Sequence, residues 1–223
     1  MRVLRILHKW LGLIVGLQIL LWTMSGLVFA WLDYRDVAGE PSVRAPPQPV
    51  LAESVVVAEP SAWLGDYGSS EIVDIALIPL LDHWVYRIRL NDRIELRRAE
   101  DGARFAIDAA IIRALAGAHY ADGDLRTLSF HATPTIEARD AGPVWQAAFD
   151  DAERTSLYFA AGDGWLVAAR NDTWRLFDFF WMLHTMDYRG RDDFNHPLVI
   201  LFGTGALWLA ISGGLLLFRA FGR

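Results

Sequence analysis

The stretch that decides the fold is Trp174-Arg-Leu-Phe-Asp-Phe-Phe-Trp-Met-Leu-His184, followed by a polar patch to Asp193 and an uncharged run from Pro197 to Phe218. The first part has aromatic residues at helical spacing and predicts an amphipathic helix over about residues 173–187. The uncharged run has 22 residues. At about 1.5 Å per residue it is roughly 33 Å long, enough to cross a bilayer core of about 30 Å. The sequence therefore predicts an interfacial helix and then a membrane span over 197–218.

The N-terminus carries a second run without charge, from Leu11 to Leu32, which is also 22 residues long. A cleaved signal peptide is the alternative interpretation, but its apolar part is usually about 7–15 residues and ends at a small-x-small site. This run is longer and ends in Val28-Phe-Ala-Trp-Leu. We therefore predict an uncleaved transmembrane helix over 11–32, preceded by a short tail over 1–10.

The basic residues at the two ends of the chain indicate its orientation. They precede the first span or follow the second, and they are Arg2, Arg5, Lys9, Arg219 and Arg223. The positive-inside rule places both flanks in the cytoplasm, including the tail over 219–223. In a bacterium this predicts an inner-membrane protein with residues 33–196 in the periplasm.

The segment between the two spans is strongly acidic. Residues 33–193 contain all 27 Asp and Glu but only 16 of the 21 Lys and Arg, so their net charge is −11. Such a charge disfavours nucleic acid as a partner, and it suits either a solvated surface or cationic ligands. The chain has no cysteine, which excludes disulfides, thiolate metal sites and cysteine nucleophiles.

Small residues recur four apart in both spans. They are Gly12 and Gly16 in the first span, and Ala206, Ala210 and Gly214 in the second. This spacing lets another helix approach closely, so the spans pack against each other, against a second copy in a homodimer, or both. Neither span contains an ionisable residue, which argues against an ion or proton pathway.

The region between the spans divides into a Pro-rich linker over 33–50 and an α+β module over 51–195. Asp108 is a predicted N-cap for a helix over 109–119. Eight segments have the composition or alternation of strands: Ile72–Ile78, Trp84–Leu90, Ile94–Arg98, Arg104–Ile107, Thr127–Ile136, Trp145–Phe149, Ser156–Ala160 and Trp165–Ala169.

The module contains an internal repeat. In each half, strands lead through an Asp-Gly turn to a further strand and then to a helix. The turns are Asp101-Gly102 and Asp163-Gly164, with one extra residue in the second half. The predicted fold class is therefore a membrane α+β protein, in which two transmembrane helices flank two strand-strand-strand-helix repeats.

These motifs resemble the PepSY-associated transmembrane family of bacterial inner-membrane proteins, in a minimal two-span form. The resemblance covers nearly the whole chain. It is carried by Arg5-Ile-Leu-His8-Lys-Trp10-Leu-Gly12, by Ser25-Gly26 near the end of the first span, by the two Asp-Gly repeats, and by the aromatic helix ending in Leu183-His184. It implies a periplasmic PepSY-type module on an inner-membrane anchor.

The family's larger members have four or more spans, carry haem b between helices, and reduce ferric iron or ferric siderophores. The resemblance thus implies a haem-linked component of periplasmic ferric reduction that acts alone or with other membrane redox subunits. The alternative is a non-catalytic anchored module that binds a peptide, a peptidase or a membrane partner. The sequence leaves both open, and it contains no fingerprint of a hydrolase or a nucleotide-binding fold.

Three histidines near the membrane boundaries are candidate haem ligands, because imidazole is a strong axial ligand for haem iron. His8 lies at the inner mouth of the first span, where an interfacial anchor is the alternative role. His184 shares a predicted helix face with Phe177, Phe180 and Trp181, where a packed core histidine is the alternative. His196 precedes Pro197 and could instead cap the second span. The remaining histidines, His83, His119 and His131, are single surface or core residues by this interpretation.

Helix geometry separates the two main candidates. His8 lies at the inner end of a helix of roughly 33 Å, and His184 lies near the outer face. One chain therefore cannot bring both to one haem. The expected arrangement is a two-fold dimer, in which His8 pairs with its own copy and His184 pairs with His196 or with its copy. Near His184, the acidic residues Asp187, Asp192 and Asp193 form either a docking site for a hard metal or a ferric ligand, or a solvated loop.

Overall fold

The computed structural model describes residues 2–40, 42–46, 57–68, 71–133, 135–139 and 141–221. Six helices lie in them: α1 (Arg2–Trp31), α2 (Tyr34–Ala38), α3 (Ser61–Leu64), α4 (Ala109–His119), α5 (Asp172–Thr185) and α6 (Pro197–Phe221). Eight strands lie in them: β1 (Ile72–Leu80), β2 (His83–Leu90), β3 (Ile94–Arg98), β4 (Arg104–Phe105), β5 (Asp124–His131), β6 (Val144–Asp150), β7 (Ser156–Ala160) and β8 (Leu166–Arg170). The chain divides into a helical unit, Met1–Val37 with Thr173–Arg223, and a sheet unit, Ala38–Asp172.

The helical unit contains the two long apolar helices, α1 and α6. Each is long and apolar enough to cross a membrane, and most of its surface is exposed in the isolated chain. Both are longer than the uncharged runs, because the helices continue through the charged flanks to Arg2 and Phe221. Length and composition thus agree with the two predicted spans.

The apolar helices pack against each other in antiparallel fashion. The contacts run in opposite directions along the two helices: a Cβ on Gly12 would lie 3.9 Å from Leu209, and further along α1 Val15 would lie 3.0 Å from a Cβ on the earlier residue Gly205. Glycine at 205 thus permits the close approach, as small residues do between membrane helices. One predicted alternative, packing of the two spans on each other, is confirmed.

The sheet unit contains two four-stranded antiparallel sheets, with strand orders β1-β2-β3-β4 and β5-β6-β7-β8. Every predicted strand is present, with ends shifted by a few residues. The largest shift is in β5, which begins at Asp124 and ends at His131, where the sequence predicted 127–136. Asp108 caps α4 as predicted, since its carboxylate accepts the N–H groups of Ala110 and Ile111 at 2.9 Å each.

The two Asp-Gly turns have the same hydrogen bonds. In each turn the glycine has positive φ, +71° at Gly102 and +70° at Gly164, and its N–H donates at 2.9 Å to the carbonyl four residues earlier. The Asp side chain accepts the N–H two residues later, at 3.0 Å from Ala103 and 3.1 Å from Trp165. Only glycine adopts this φ without strain. The turns are thus equal in length.

The extra residue of the second half lies beyond its turn. The pairing of β7 with β8 shifts between Tyr158 and Phe159, which places an unmatched Val167 in β8. Each repeat also has a fourth strand in front of the predicted three, namely β1 and β5. Both of these leading strands have a register irregularity near their start, at Ile72/Asp74 and at Leu125/Thr127.

The two sheets and α4 share one hydrophobic core. Val85 and Leu96 from the first sheet, Ile112 from α4, and Leu157 and Phe159 from the second sheet are all buried in it. A second cluster lies on the other face of the first sheet, where Trp63 packs over the turn at Gly102. There the buried Arg97 guanidinium stacks on the Trp63 and Tyr67 rings, 5.3 and 5.2 Å from their centroids.

The predicted linker begins with a short helix. Residues 34–38 form α2, and Arg44 is held to the end of α4, because its N–H donates to the carbonyl of His119 at 2.8 Å. Residues 47–50 of the predicted linker and residues 51–56 of the predicted module lie outside the described residues.

Candidate functional site: two histidine–serine pairs

One stripe of α1 organises the helical unit. Its residues recur at spacings of three and four along the helix: His8, Gly12, Val15, Gln18, Trp22, Ser25 and Phe29. Spacings of three and four place side chains on one helix face. The first three of these residues contact α6, and the last four contact α5. A single face of α1 thus positions both main candidate histidines.

The pair of His8 with Ser212, which we call the inner pair after the orientation predicted from the sequence, joins α1 to α6 near the N-terminus of α1. Nδ1 of His8 lies 2.7 Å from Oγ of Ser212, which is almost fully buried. The ring lies close to Gly213, because a Cβ there would be 3.3 Å from Cε1. The ring centroid of Trp208 is 6.4 Å away. Ser212 also donates to the carbonyl of Leu209 at 3.2 Å, so the serine is itself held in place.

The outer pair joins α5 to α1. Nδ1 of His184 lies 2.7 Å from Oγ of Ser25, a residue with no exposed surface. Ser25 donates to the carbonyl of Trp22 at 3.0 Å, so its lone pairs remain free to accept from the imidazole. With Nδ1–H donating to serine, Nε2 carries the free lone pair. Within the described part of the chain, no hydrogen bond is made to Nε2 of either ring.

Two further side chains of α1 tie the end of α5 to the same stripe. The carbonyls of the last turn of a helix have no partner within the helix. The amide of Gln18 donates to the carbonyl of Leu183 at 3.3 Å, and the indole of Trp22 donates to that of His184 at 2.7 Å. His184 is therefore fixed by its backbone as well as by its ring.

Aromatic rings surround His184 on one side. The centroid of Phe29 is 5.5 Å from the His184 ring, 4.9 Å from Phe177 and 6.1 Å from Trp181. The predicted aromatic face thus includes Phe177 and Trp181. Phe180 instead makes an edge contact with Phe179, with their centroids 5.5 Å apart.

Burial affects the protonation of His184. Desolvation lowers the pKa of this imidazole below its usual value of 6.5, because burial disfavours the charged form. The ring is therefore neutral at physiological pH, the state in which Nε2 can coordinate a metal.

The two pairs lie far apart along α1. The residues of α1 that define them, His8 and Ser25, are 17 positions apart in one helix. At about 1.5 Å per residue, this is roughly 25 Å. The geometry agrees with the expectation that the two histidines of one chain cannot share one ligand.

His196 is placed as a helix cap. It precedes Pro197, the first residue of α6, and its Nδ1 accepts the N–H of Leu198 at 3.4 Å. This is the alternative role that the sequence left open for it. No contact between His196 and His184 is present within the described residues.

The loop between α5 and α6 is built around Asp187. Its buried carboxylate accepts four backbone N–H groups, from Arg189, Gly190, Asp192 and Asp193, at 3.0 to 3.2 Å. Burial alone would raise the pKa of Asp187, but these four donors outweigh it and lower the pKa from 3.8 to about 2. Asp187 is therefore an anchor of the loop.

A buried ion pair ties this loop to α5. Asp178, which is 2% exposed, accepts from the guanidinium of Arg191, and the indole of Trp181 donates to the Arg191 carbonyl at 2.9 Å. Among the described residues, no group of three or more His, Cys, Asp or Glu is arranged to hold a metal ion. The carboxylates of Asp187 and Asp193 accept backbone N–H groups of the loop.

The other histidines lie in the sheet unit. His119 bonds through Nδ1 to the carbonyl of Arg44 at 2.9 Å, and burial lowers its pKa. His131 lies 3.0 Å from the amide oxygen of Gln146, and His83 is exposed beside Asp82. These placements agree with the prediction of single surface or core residues.

Ser25 and Ser212 are the residues that sequence reasoning missed as partners of the histidines. One signal was present, because Ser25 lies on the three-and-four stripe that starts at His8. The pairing with His184, 159 positions away in sequence, follows from the packing of α5 on α1.

Comparisons of this chain with protein-family models, with curated proteins and with solved structures found no match.

Proposed function

We propose that this chain is a bacterial inner-membrane protein of the PepSY type that holds haem b and takes part in reducing ferric iron or ferric siderophores in the periplasm. Both termini lie in the cytoplasm, and residues 33–196 lie in the periplasm. The proposal combines the two apolar helices, the acidic segment between them and the family resemblance. The observation that carries it is the pair of His–Ser hydrogen bonds.

The His–Ser bonds suit axial ligation. A ligating histidine usually donates its second ring N–H to a fixed acceptor, which sets the tautomer and orients the ring. His8 and His184 both have this arrangement, with Nδ1 at 2.7 Å from a buried serine. A histidine that serves only as a helix anchor does not need its ring fixed on a neighbouring helix.

The neighbours of each ring support the proposal of a haem. His184 lies beside Phe29, and His8 lies beside Gly213 and Trp208, so apolar or flat surfaces flank both rings. Each ring supplies one ligand, and a bis-histidine haem needs two. A second copy of the chain supplies the other ligand in this proposal, so that a dimer holds one haem at the inner pair and one at the outer pair.

Bound haem b would supply one-electron chemistry at each pair. The chain's own residues orient the imidazoles through Ser25 and Ser212 and place aromatic side chains beside them. The two His–Ser pairs are roughly 25 Å apart along α1, so in this proposal one pair lies near each side of the membrane. This arrangement suits the transfer of electrons from the cytoplasmic side to the periplasmic side.

The test is a visible spectrum of the full chain, purified in mild detergent after expression with added haem precursor. We expect a Soret band and, after reduction, the sharp bands of a bis-histidine haem. His184→Ala should remove the outer haem and His8→Ala the inner one, so that each variant retains about half of the Soret absorbance. His83→Ala is the matched control, because His83 is an exposed histidine of the sheet unit.

Two results would contradict the proposal. One is a folded, dimeric preparation that shows no Soret band after haem is supplied. The other is a bis-histidine spectrum that neither His8→Ala nor His184→Ala changes.

A second candidate function is a non-catalytic membrane-anchored binding module. The observation that favours it is a cleft of about 520 Å³ in the sheet unit. Ligand sites commonly have volumes of about 300–1,000 Å³. A colourless protein that binds a ligand in this cleft would support the module over the redox component.

A further inference from the structure

The cleft of the sheet unit is an apolar groove between the two repeats. The β1–β2 turn, the start of β8 and the end of α4 form its walls, through residues such as Leu80, Leu81, Leu115 and Leu166. The glycine of the second Asp-Gly turn lies at the groove, where a Cβ would be 2.9 Å from Leu115. The volume, about 520 Å³, suits a small organic molecule.

An unpaired cation lies in this apolar lining. Arg87 of β2 lines the groove, and its cross-strand neighbours are Ala76 and Leu96, which cannot pair with it. In the part of the chain that the structure describes, Arg87 makes no hydrogen bond or ion pair, whereas Arg89 on the same strand is paired with Asp74. A guanidinium in an apolar groove is suited to bind a carboxylate through two parallel hydrogen bonds.

The other charged groups of the groove are already engaged. The buried carboxylate of Asp163 accepts the N–H of Trp165 at 3.1 Å. The guanidinium of Arg44 lies 3.5 Å from Asp122 at the surface. The Arg44 N–H donates to the carbonyl of His119 at 2.8 Å, and the Arg44 carbonyl lies 2.9 Å from Nδ1 of His119. Arg87 is therefore the group that a negatively charged ligand would bind.

One feature of the walls favours a flat ligand. The indole of Trp165 is 66% exposed and lines the groove together with Pro46. An exposed indole is a surface on which an aromatic ring stacks.

We propose that this groove binds a compact aromatic carboxylate, with the carboxylate on Arg87 and the ring against Trp165. This site belongs to the sheet unit alone and does not depend on haem. It would give the periplasmic part of the chain a soluble organic ligand.

The test is a titration of the full chain in a non-ionic detergent with 2-naphthylacetate and with its neutral analogue 2-naphthylacetamide, followed by calorimetry. We expect the acid to bind about tenfold more tightly, because a charge-assisted hydrogen bond in an apolar site is worth about that factor. Arg87→Gln should weaken the acid about tenfold and leave the amide unchanged, and Arg87→Lys should restore part of the difference. Trp165→Leu should weaken both probes.

Arg126→Gln is the matched control, because Arg126 is an exposed arginine of β5 outside the groove. Circular dichroism and the thermal midpoint establish that each variant is folded. Equal binding of acid and amide, or acid binding that Arg87→Gln does not change in the folded protein, would overturn the proposal. Stronger binding of dodecanoate than of naphthylacetate would assign the groove to acyl chains and would also overturn it.

Discussion

The inner and outer histidines make the same bond to serine but are supported differently. His8 lies within the long helix α1, and the regular hydrogen bonds of that helix hold its backbone. His184 lies in the last turn of a 14-residue helix, where the carbonyls of Leu183 and His184 depend on Gln18 and Trp22 of α1. The backbone of the inner histidine is thus held by its own long helix, whereas that of the outer histidine depends on side chains of a second helix.

This difference has a functional consequence. The outer pair depends on the packing of α5 on α1, and the Asp187 loop is tied to α5 at Asp178 and Trp181, so we expect this pair to respond to changes at several distant residues. The inner pair needs only α1 and α6 in register. If both hold haem, we expect the outer site to be the one that mutations, pH or a periplasmic partner can adjust.

The largest expected effect comes from the ion pair under the outer site. Asp178→Ala leaves the guanidinium of Arg191 without its buried partner, and breaking such a pair costs about 3–5 kcal/mol. Thermal unfolding in detergent should show this loss, and any haem signal that depends on His184 should fall before the signal that depends on His8. Asp192→Asn, at an exposed carboxylate of the same loop, is the control. Equal loss of both haem signals would show that the two sites are not supported independently.

A smaller, pH-dependent effect is expected at Asp187. Asp187→Ala removes the acceptor of four backbone N–H groups, at a cost of about 1–3 kcal/mol at neutral pH. The pKa of this carboxyl is lowered in the folded state, from 3.8 to about 2. Its contribution is therefore complete above about pH 4 and is lost as the pH falls toward 2. Thermal midpoints of the native chain and of Asp187→Ala should differ at pH 6 and converge in that acid range.

One result at pH 6 would contradict the prediction for Asp187→Ala. If Asp187→Ala unfolds at the native temperature, the four N–H groups do not hold the loop. Asp193→Ala is the control, because Asp193 accepts only the N–H of Asn195 at 2.8 Å.

Much of the fold could be predicted because it depends on local patterns. The two apolar runs, the strands, the cap at Asp108 and the turns at Gly102 and Gly164 each follow from residues close in sequence. The predicted boundaries differ where charged flanks extend α1 and α6, and where β1 and β5 add a leading strand to each repeat. A strand's membership in a sheet depends on pairing with a distant partner, which local composition does not specify.

The candidate site could be predicted only in part, for the same reason. His8 and His184 stand out because they lie at the ends of apolar or aromatic stretches. Their serine partners come from another helix in each case, so the bonds depend on the register between helices. The anchoring role of Asp187 was also hidden, because a loop that folds back on one carboxylate has the same composition as a solvated acidic run.

The two serines test whether the inner and outer histidines are supported differently. Each serine hydrogen bond is expected to contribute about 0.5–1.5 kcal/mol to stability. Ser25→Ala and Ser212→Ala each remove one partner of an imidazole Nδ1. Nitrogen NMR of the labelled histidines should show a fixed tautomer in the native chain and a mixture of tautomers for the affected ring alone. Ser25→Ala should also lower the thermal midpoint more, since Ser25 is fully buried and His184 has no long helix to hold it. An unchanged His184 tautomer in Ser25→Ala would show that the backbone contacts alone set the ring.

The smallest effects are expected at the glycines, and they separate packing within one chain from packing between copies. Gly205→Ala should shift α6 slightly away from α1, because its Cβ would lie 3.0 Å from Val15, and it should weaken the inner pair by less than about 1 kcal/mol. Gly214 and Gly16 have no atom within 4 Å of an added Cβ, so alanine there should leave the monomer unchanged.

If these two glycines form the dimer interface, Gly214→Leu should reduce the dimer fraction in analytical ultracentrifugation and, with it, any bis-histidine signal. Loss of that signal without loss of the dimer would place the second ligand within one chain. A dimer unaffected by Gly214→Leu and by Gly16→Leu would place the contact on another face of the two helices.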